Sequence, residues 1–253
     1  MKNSFFFAFL IFSKFAFAQV TPQTWLSGEI NRKLTSKLAA SASLDMRFYD
    51  FSAPGTIFPQ LSISYKIIDG VKFSVDYRML FKENRYTNYT FDNRLNFNLE
   101  LKTKFKHVDP GFRFRYQSTF GTLNGVGNYS AEFDQAIRLK PALTFHINKK
   151  SKYTPAVSGE WFYSLANKEL GKRFTKYRLA AGTSYNLKGP REIEVKYIFG
   201  QSINLPKNET EHILSLTYSY NWDKLTPEEK TKRAKARAKK KLKKHPELET
   251  EEE

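Results

Sequence analysis

The sequence predicts an all-β protein, an antiparallel transmembrane β-barrel of about ten to twelve strands with a charged, helical C-terminal extension. Three observations point there. The first residues read as an export signal. The body alternates apolar and polar residues over long runs. Finally, 16% of the 253 residues are aromatic and none is cysteine.

The export signal comes first in the chain. Lys2 supplies a positive start, Phe5 to Phe17 form a short apolar stretch, and Ala16-Phe17-Ala18 has the small-x-small pattern that signal peptidase cuts. Residues 1–18 are therefore expected to be a signal peptide, with cleavage before Gln19. The run falls short of the about 20 residues needed to span a bilayer as a helix. Without cysteine, neither disulfides nor a thiolate metal site is possible, and no lipid anchor follows the cut. A mean hydropathy of -0.57 hides the strand signal, because each strand would show lipid only one of its faces.

The barrel is expected over residues 19–222, and its strands follow in order. Trp25–Ile30 is a short first strand. Leu38–Tyr49 sets Leu38, Ala40, Ala42, Leu44, Met46 and Phe48 against Ser41, Ser43, Asp45 and Arg47. The period of two assigns one apolar and one polar face. It recurs in Ile57–Ile67, Val71–Phe81 and Phe91–Phe105, then in Phe112–Phe120, Phe133–Ile147, Tyr153–Leu165, Phe174–Leu187, Ile193–Gln201 and His212–Trp222. Several of these reach the about 9–11 residues of a tilted membrane strand. Pro59, Pro141 and Pro155 fall inside strand patterns, where proline cannot donate to a ladder. The count is eleven, and the first strand would run in the direction of the last. Either that strand lies in or under the lumen while ten close, or a twelfth exists.

Short turns are expected at Ile68-Asp69-Gly70, around Asp109-Pro110-Gly111, at Asn148–Lys152 and at Lys188-Gly189-Pro190. Longer connections are expected at Lys82–Thr90, Gly121–Ser130 and Ala166–Arg173, with smaller ones at Asp50–Gly55 and Pro206–Glu209. Short turns belong on the periplasmic side of an outer-membrane barrel.

Three segments, "QTWLSGEINRKLTSKLAASASLDMRFYD", "DPGFRFRYQ" and "KYRLAAGTSYNL…IEVKYIFGQ", resemble an uncharacterised exported family, the domain of unknown function numbered 2490. The resemblance covers residues 23 to 222 and implies an outer-membrane β protein. It brings no known activity.

Catalytic signals are sparse. His107, His146, His212 and His245 lack metal-ligand spacing. A barrel lipid hydrolase would place Ser and His together, yet Ser215 and Ser219 alternate onto the face opposite His212. The glycine-rich "GTLNGVGNYS" lacks the following helix of a phosphate site. No enzyme, cofactor or metal is expected.

The weight falls on the inward face. Arg47, Asp76, Arg78, Arg94, Glu100, Arg113, Arg115, Arg138, Arg178 and Glu194 are candidate lumen-lining residues, together with Asp92, Asp134, Glu160 and Lys196. Residues 19–222 carry 29 Lys and Arg against 17 Asp and Glu, so an aqueous path there would favour anions. The expected function is a non-enzymatic outer-membrane barrel, structural or with a narrow, porin-like anion-favouring pore or ligand slot. The alternatives are an outer-membrane lipid hydrolase and a soluble periplasmic ligand-binding β protein.

Residues 223–253 form a basic, then acidic tail in the periplasm of a Gram-negative cell. Thr226-Pro227-Glu228-Glu229 reads as a helix start, and ten Lys and Arg follow between Lys230 and Lys244. An exported chain has no use for a nucleic-acid arm. The expected partners are outer-membrane lipid, the barrel assembly machinery and, through the tail, anionic cell-wall polymer.

Overall fold

The computed structural model describes residues 22–49, 54–84, 88–121, 135–148, 151–165, 171–187, 189–206 and 208–223. The signal peptide, the glycine-rich loop, Asp134 and the tail helix lie outside the described residues. Eleven strands close into one barrel: β1 (Gln23–Lys33), β2 (Leu38–Phe48), β3 (Pro54–Ile68), β4 (Val71–Asn84), β5 (Asn88–Lys102), β6 (Val108–Gly121), β7 (Gln135–Phe145), β8 (Tyr153–Ser164), β9 (Arg173–Asn186), β10 (Arg191–Ser202) and β11 (Thr210–Asn221).

Each strand pairs antiparallel with its neighbour in sequence. The closing pair is different. β1 runs parallel to β11, from Gln23 opposite Ile213 to Asn31 opposite Asn221. An odd number of up-and-down strands leaves the first and last pointing the same way, so a parallel seam is the one closure available. This corrects both expectations for residues 25–30: the first strand is a wall strand, and no twelfth is needed among the described residues. The seam extends past its strands, with the Trp222 amide donating to the Asn31 carbonyl at 2.9 Å and the Lys33 amide donating to the Asp223 carboxylate.

The strands also outrun their expected ends. The connection expected over Lys82–Thr90 shrinks to residues 85–87, since β4 and β5 pair out to Asn84 and Asn88. Asp109-Pro110-Gly111 lies inside β6, and the chain reverses at 103–107 instead. There the Thr103 amide donates to the Pro110 carbonyl at 3.0 Å and the Phe105 amide to the Val108 carbonyl at 3.1 Å. Pro110 keeps its acceptor in the ladder and loses only a donor.

Two interior prolines leave local marks. Opposite Pro59 the β3–β4 pairing skips from Ile57–Phe81 to Gln60–Arg78. Opposite Pro141 the β7–β8 pairing skips from Leu139–Trp161 to Ala142–Ser158. In both places the register resumes unchanged, because a one-residue slip would turn every later side chain to the wrong face.

The connections 34–37, 69–70, 103–107, 146–152 and 187–190 all lie at one end of the barrel, the short-turn end, along with the end of β11. The strand ends that flank the other five connections lie at the opposite, long-loop end. Asp69-Gly70 is a two-residue hairpin turn in which Gly70 has φ +83°. A Cβ there would stand 2.6 Å from the Lys102 carbonyl, and the Lys102 amide donates to the Gly70 carbonyl, so only glycine fits. The exposed Asp69 accepts from the Lys66 ammonium, which holds its carboxyl below the usual carboxylate range.

The pleat sorts the side chains into an apolar outside and a polar inside. Among the described residues only Phe58, Leu80, Ala136, Phe162, Ile198 and Ile213 are buried hydrophobics, against fifteen buried polar or charged residues. Thirty large hydrophobic side chains of the described residues stand exposed, among them Leu61, Phe97, Leu99, Phe112, Phe114, Leu179, Leu214 and Leu216 on the barrel wall. Monomers in water rarely expose contiguous apolar patches beyond a few hundred Å². The polarity is inverted.

Candidate functional site: the barrel interior

Alternation along each strand brings the candidate residues Arg47, Asp76, Arg78, Asp92, Arg94, Glu100, Arg113, Arg115, Arg138, Glu160, Arg178, Glu194 and Lys196 to the inner wall. They do not form one cluster. Several ion-paired groups are separated by a cavity of about 410 Å³.

Around Asp76, on β4, the carboxylate accepts from Arg115 Nη2 at 3.1 Å and from Asn98 Nδ2 at 2.9 Å. Asn98 also donates to Ser74 at 3.0 Å and accepts from Arg115 Nε at 2.5 Å, so its amide is used in both directions. Glu160, on β8, holds two guanidiniums: Arg113 at 2.8 Å and Arg138 at 2.9 Å. Glu211, at the start of β11, holds Lys176 at 2.6 Å and Arg178 at 3.2 Å. Arg78 pairs with Asp45 at 3.2 Å and donates from Nε to Gln60 at 2.8 Å. Lys82 meets Asp92 at 3.5 Å. Nearer the short turns, Glu100 meets Lys72 at 2.9 Å and Glu194 meets Lys196 at 2.5 Å.

Three aromatic rings tie four of these arginines into a continuous ladder. From one end, Arg78 lies 5.3 Å from the Phe58 ring centre, and Arg47 lies 4.5 Å from the same ring. Arg47 then stacks on Trp25 at 4.0 Å, and Arg178 covers that indole at 5.0 Å. Arg178 lies 5.1 Å from Phe162, and Arg138 closes the series at 4.5 Å from it. All six contacts are within cation–π range, and desolvated contacts of this kind are worth about 2 kcal/mol each.

The ladder runs along β4, β3, β2 and β1, then crosses to β9, β8 and β7 without using a side chain of β10 or β11. That crossing needs space. Gly200 of β10 pairs with both Arg178 and Glu211. A Cβ on Gly200 would stand 2.8 Å from the Glu211 carboxylate and 3.4 Å from Arg178 Cγ. Glycine thus lets the Glu211–Arg178 pair lie against bare backbone and Arg178 reach the indole on the far side of the seam.

Eleven Lys and Arg line the cavity against three acids, Asp45, Glu160 and Glu211. Three further acids, Asp76, Asp92 and Glu194, pair with the lining cations Arg115, Lys82 and Lys196. Five positive charges remain in excess among the described residues. Arg47, Arg94 and Lys140 have no carboxylate at ion-pair distance among the described residues. Arg94 donates from Nε to Thr119 at 3.1 Å.

Trp25, Phe58, Phe162, Asp45, Lys82, Lys140, Lys176 and Glu211 also line the cavity, beyond the candidate set. The available signal for Phe58 and Phe162 was their position: each is a large aromatic residue on the polar side of its strand. Elsewhere, Ser215 lines the cavity, while the His212 ring lies on the outer wall with its Nδ1 2.5 Å from the Tyr197 hydroxyl. The two belong to opposite faces of β11. His146 lies at the short-turn end, 3.0 Å from Asp109.

Fold and interior together define a closed β-barrel with an apolar exterior and a cationic, ring-stacked core. The chain belongs to the family described as Protein of unknown function (DUF2490), whose match covers residues 22–212 and so all of β1 to β10. No curated protein matches it.

Proposed function

We propose that this protein is a non-enzymatic outer-membrane β-barrel whose occluded interior is a narrow, anion-favouring slot. The inversion of polarity carries the reading. A closed barrel satisfies its backbone hydrogen bonds internally, and thirty exposed large hydrophobics suit lipid far better than water. In that setting the short turns face the periplasm, as would the tail that follows β11, available to anionic cell-wall polymer. The barrel assembly machinery is the natural partner for insertion.

The interior favours a slot over an open channel. Small barrels are filled by their own side chains, and water-filled lumens come at about 16–18 strands. Here the arginine–aromatic ladder crosses a lumen of eleven strands. Hydrolysis of lipid is disfavoured by the placement of Ser215 inside and His212 outside the wall.

Membrane fractionation and gel migration with and without boiling test the reading together. The expected result is a membrane-bound protein that shifts on boiling. Recovery as a soluble periplasmic protein would sink it. Turnover of phospholipid that is lost in Ser215→Ala would overturn the non-enzymatic assignment.

A further inference from the structure

We propose that the cavity is a binding site for a multivalent oxyanion, with phosphate as the fitting chemistry, held between the guanidiniums of Arg47 and Arg94. The inference deepens the slot reading above and rests on it for its setting.

Arg47 lies over the Trp25 ring at 4.0 Å and over the Phe58 ring at 4.5 Å, contacts that use none of its N–H donors. Stacking leaves the in-plane edge, where the five N–H donors lie. No acceptor among the described residues takes them. Arg94 spends only Nε, on Thr119, and keeps both terminal nitrogens. Both residues line the same cavity, together with Lys140 and the hydroxyl-bearing Tyr49 and Thr56. They also lie within Coulombic reach of one another and of Arg78.

Water would satisfy such donors but would leave the charge. Like charges crowded together without counter-charge are costly, and charge-assisted bonds to an oxyanion relieve both problems at once. Chloride brings one charge and no fork geometry. A phosphate brings at least two oxygens to each guanidinium and more than one negative charge. Its size fits a space of about 410 Å³ with room for a small substituent.

Folded protein in detergent, verified by its shift on boiling, would be titrated calorimetrically with inorganic pyrophosphate against a chloride background. Saturable one-to-one binding is expected. Arg47→Gln and Arg94→Gln should each weaken it by about tenfold or more, since each removes charged hydrogen bonds. Lys72→Gln, whose lysine pairs with Glu100 outside the cavity, should bind as the parent does. Arg47→Lys keeps the charge and loses the fork, and should bind more weakly than the parent.

Absence of saturable binding, or parent-like affinity in both glutamine variants, would overturn the site. If either variant fails to shift on boiling, the other and Arg47→Lys still decide the matter. A soluble protein that binds pyrophosphate would sink the membrane reading and keep the site, whereas a membrane barrel that does not bind would do the reverse. Vesicles of phosphatidylglycerol form the second arm. Competition by them would transfer the site from a free phosphate to a lipid headgroup.

Discussion

The two halves of the lumen are built from different materials. Toward the long loops, β1, β2, β3 and β9 offer Trp25, Arg47, Phe58 and Arg178, while β4 ends in Leu80 and Lys82. Toward the short turns, the same wall of β2, β3 and β4 offers Ser41, Ser43, Ser62, Ser64 and Ser74. Ion pairs differ in the same sense. Arg138 and Glu160 in the upper group are 12% and 9% exposed, whereas Lys72 and Glu100 near the turns are 46% and 36% exposed. By these pairs the long-loop half is the more enclosed and the short-turn half the more open. An anion would therefore approach the cavity from the short-turn side.

Acid removal should separate the halves most sharply. Glu160→Gln would leave Arg113 and Arg138 without their carboxylate, and breaking a buried pair costs about 3–5 kcal/mol. Glu100→Gln would break a half-exposed pair worth at most about 1 kcal/mol. Urea unfolding of both variants measures the contrast, and equal losses would mean that the two halves are equally wet.

Cutting the ladder comes next. Trp25→Ala removes the ring shared by Arg47 and Arg178, where the arginine–aromatic ladder crosses the seam. Planar-bilayer recordings should show larger, anion-selective conductance in the variant than in the parent. An unchanged conductance would place the seal elsewhere, and cation preference would mean that the basic lining does not set the selectivity. Gly200→Ala should act on the same joint by crowding Glu211 and Arg178, at a cost of about 1–3 kcal/mol typical of overpacking. Its thermal midpoint for boiling-dependent migration should fall, while Gly28→Ala, where a Cβ meets nothing within 4 Å, should leave that midpoint close to the parent value.

The smallest effect is expected from truncation after Asp223. Every ladder bond of the barrel survives, including the Lys33–Asp223 contact, so assembly and unfolding should match the full chain. The removed segment holds 11 basic and 7 acidic residues. Its loss should reduce low-salt co-sedimentation with purified cell wall, an interaction that salt screens over about 10 Å at 0.1 M. Equal sedimentation would show the tail to be a solvated extension.

Much of this was legible in the strand pattern because a period of two leaves little freedom. Once Leu44 and Met46 face outward, Arg47 must face in, and the same parity turns Arg113, Arg115 and Arg178 to the interior. What the pattern missed depends on pairings between elements far apart in sequence. The seam was obscure because no local feature of Gln23–Lys33 names β11 as its neighbour. The ladder was obscure because Phe58 and Phe162 break the alternation, and because Trp25 meets Arg178 across two intervening strands. Asp109-Pro110-Gly111 misled for a different reason. Proline and glycine mark turns by their own backbone preferences, and a wall strand that needs only the proline carbonyl tolerates both.

The parallel seam also sets an order of events in time. Ten of the eleven pairings join strands adjacent in the chain and can form as each hairpin emerges. The eleventh joins residues 190 positions apart, so it waits for the whole body of the protein. Until then the molecule is a curled sheet with two open edges, the state most exposed to mispairing with other chains. Closure is thus a single late step with the largest loop entropy to overcome. Its rate, rather than the strength of any hairpin, governs how long a newborn chain depends on protection by others.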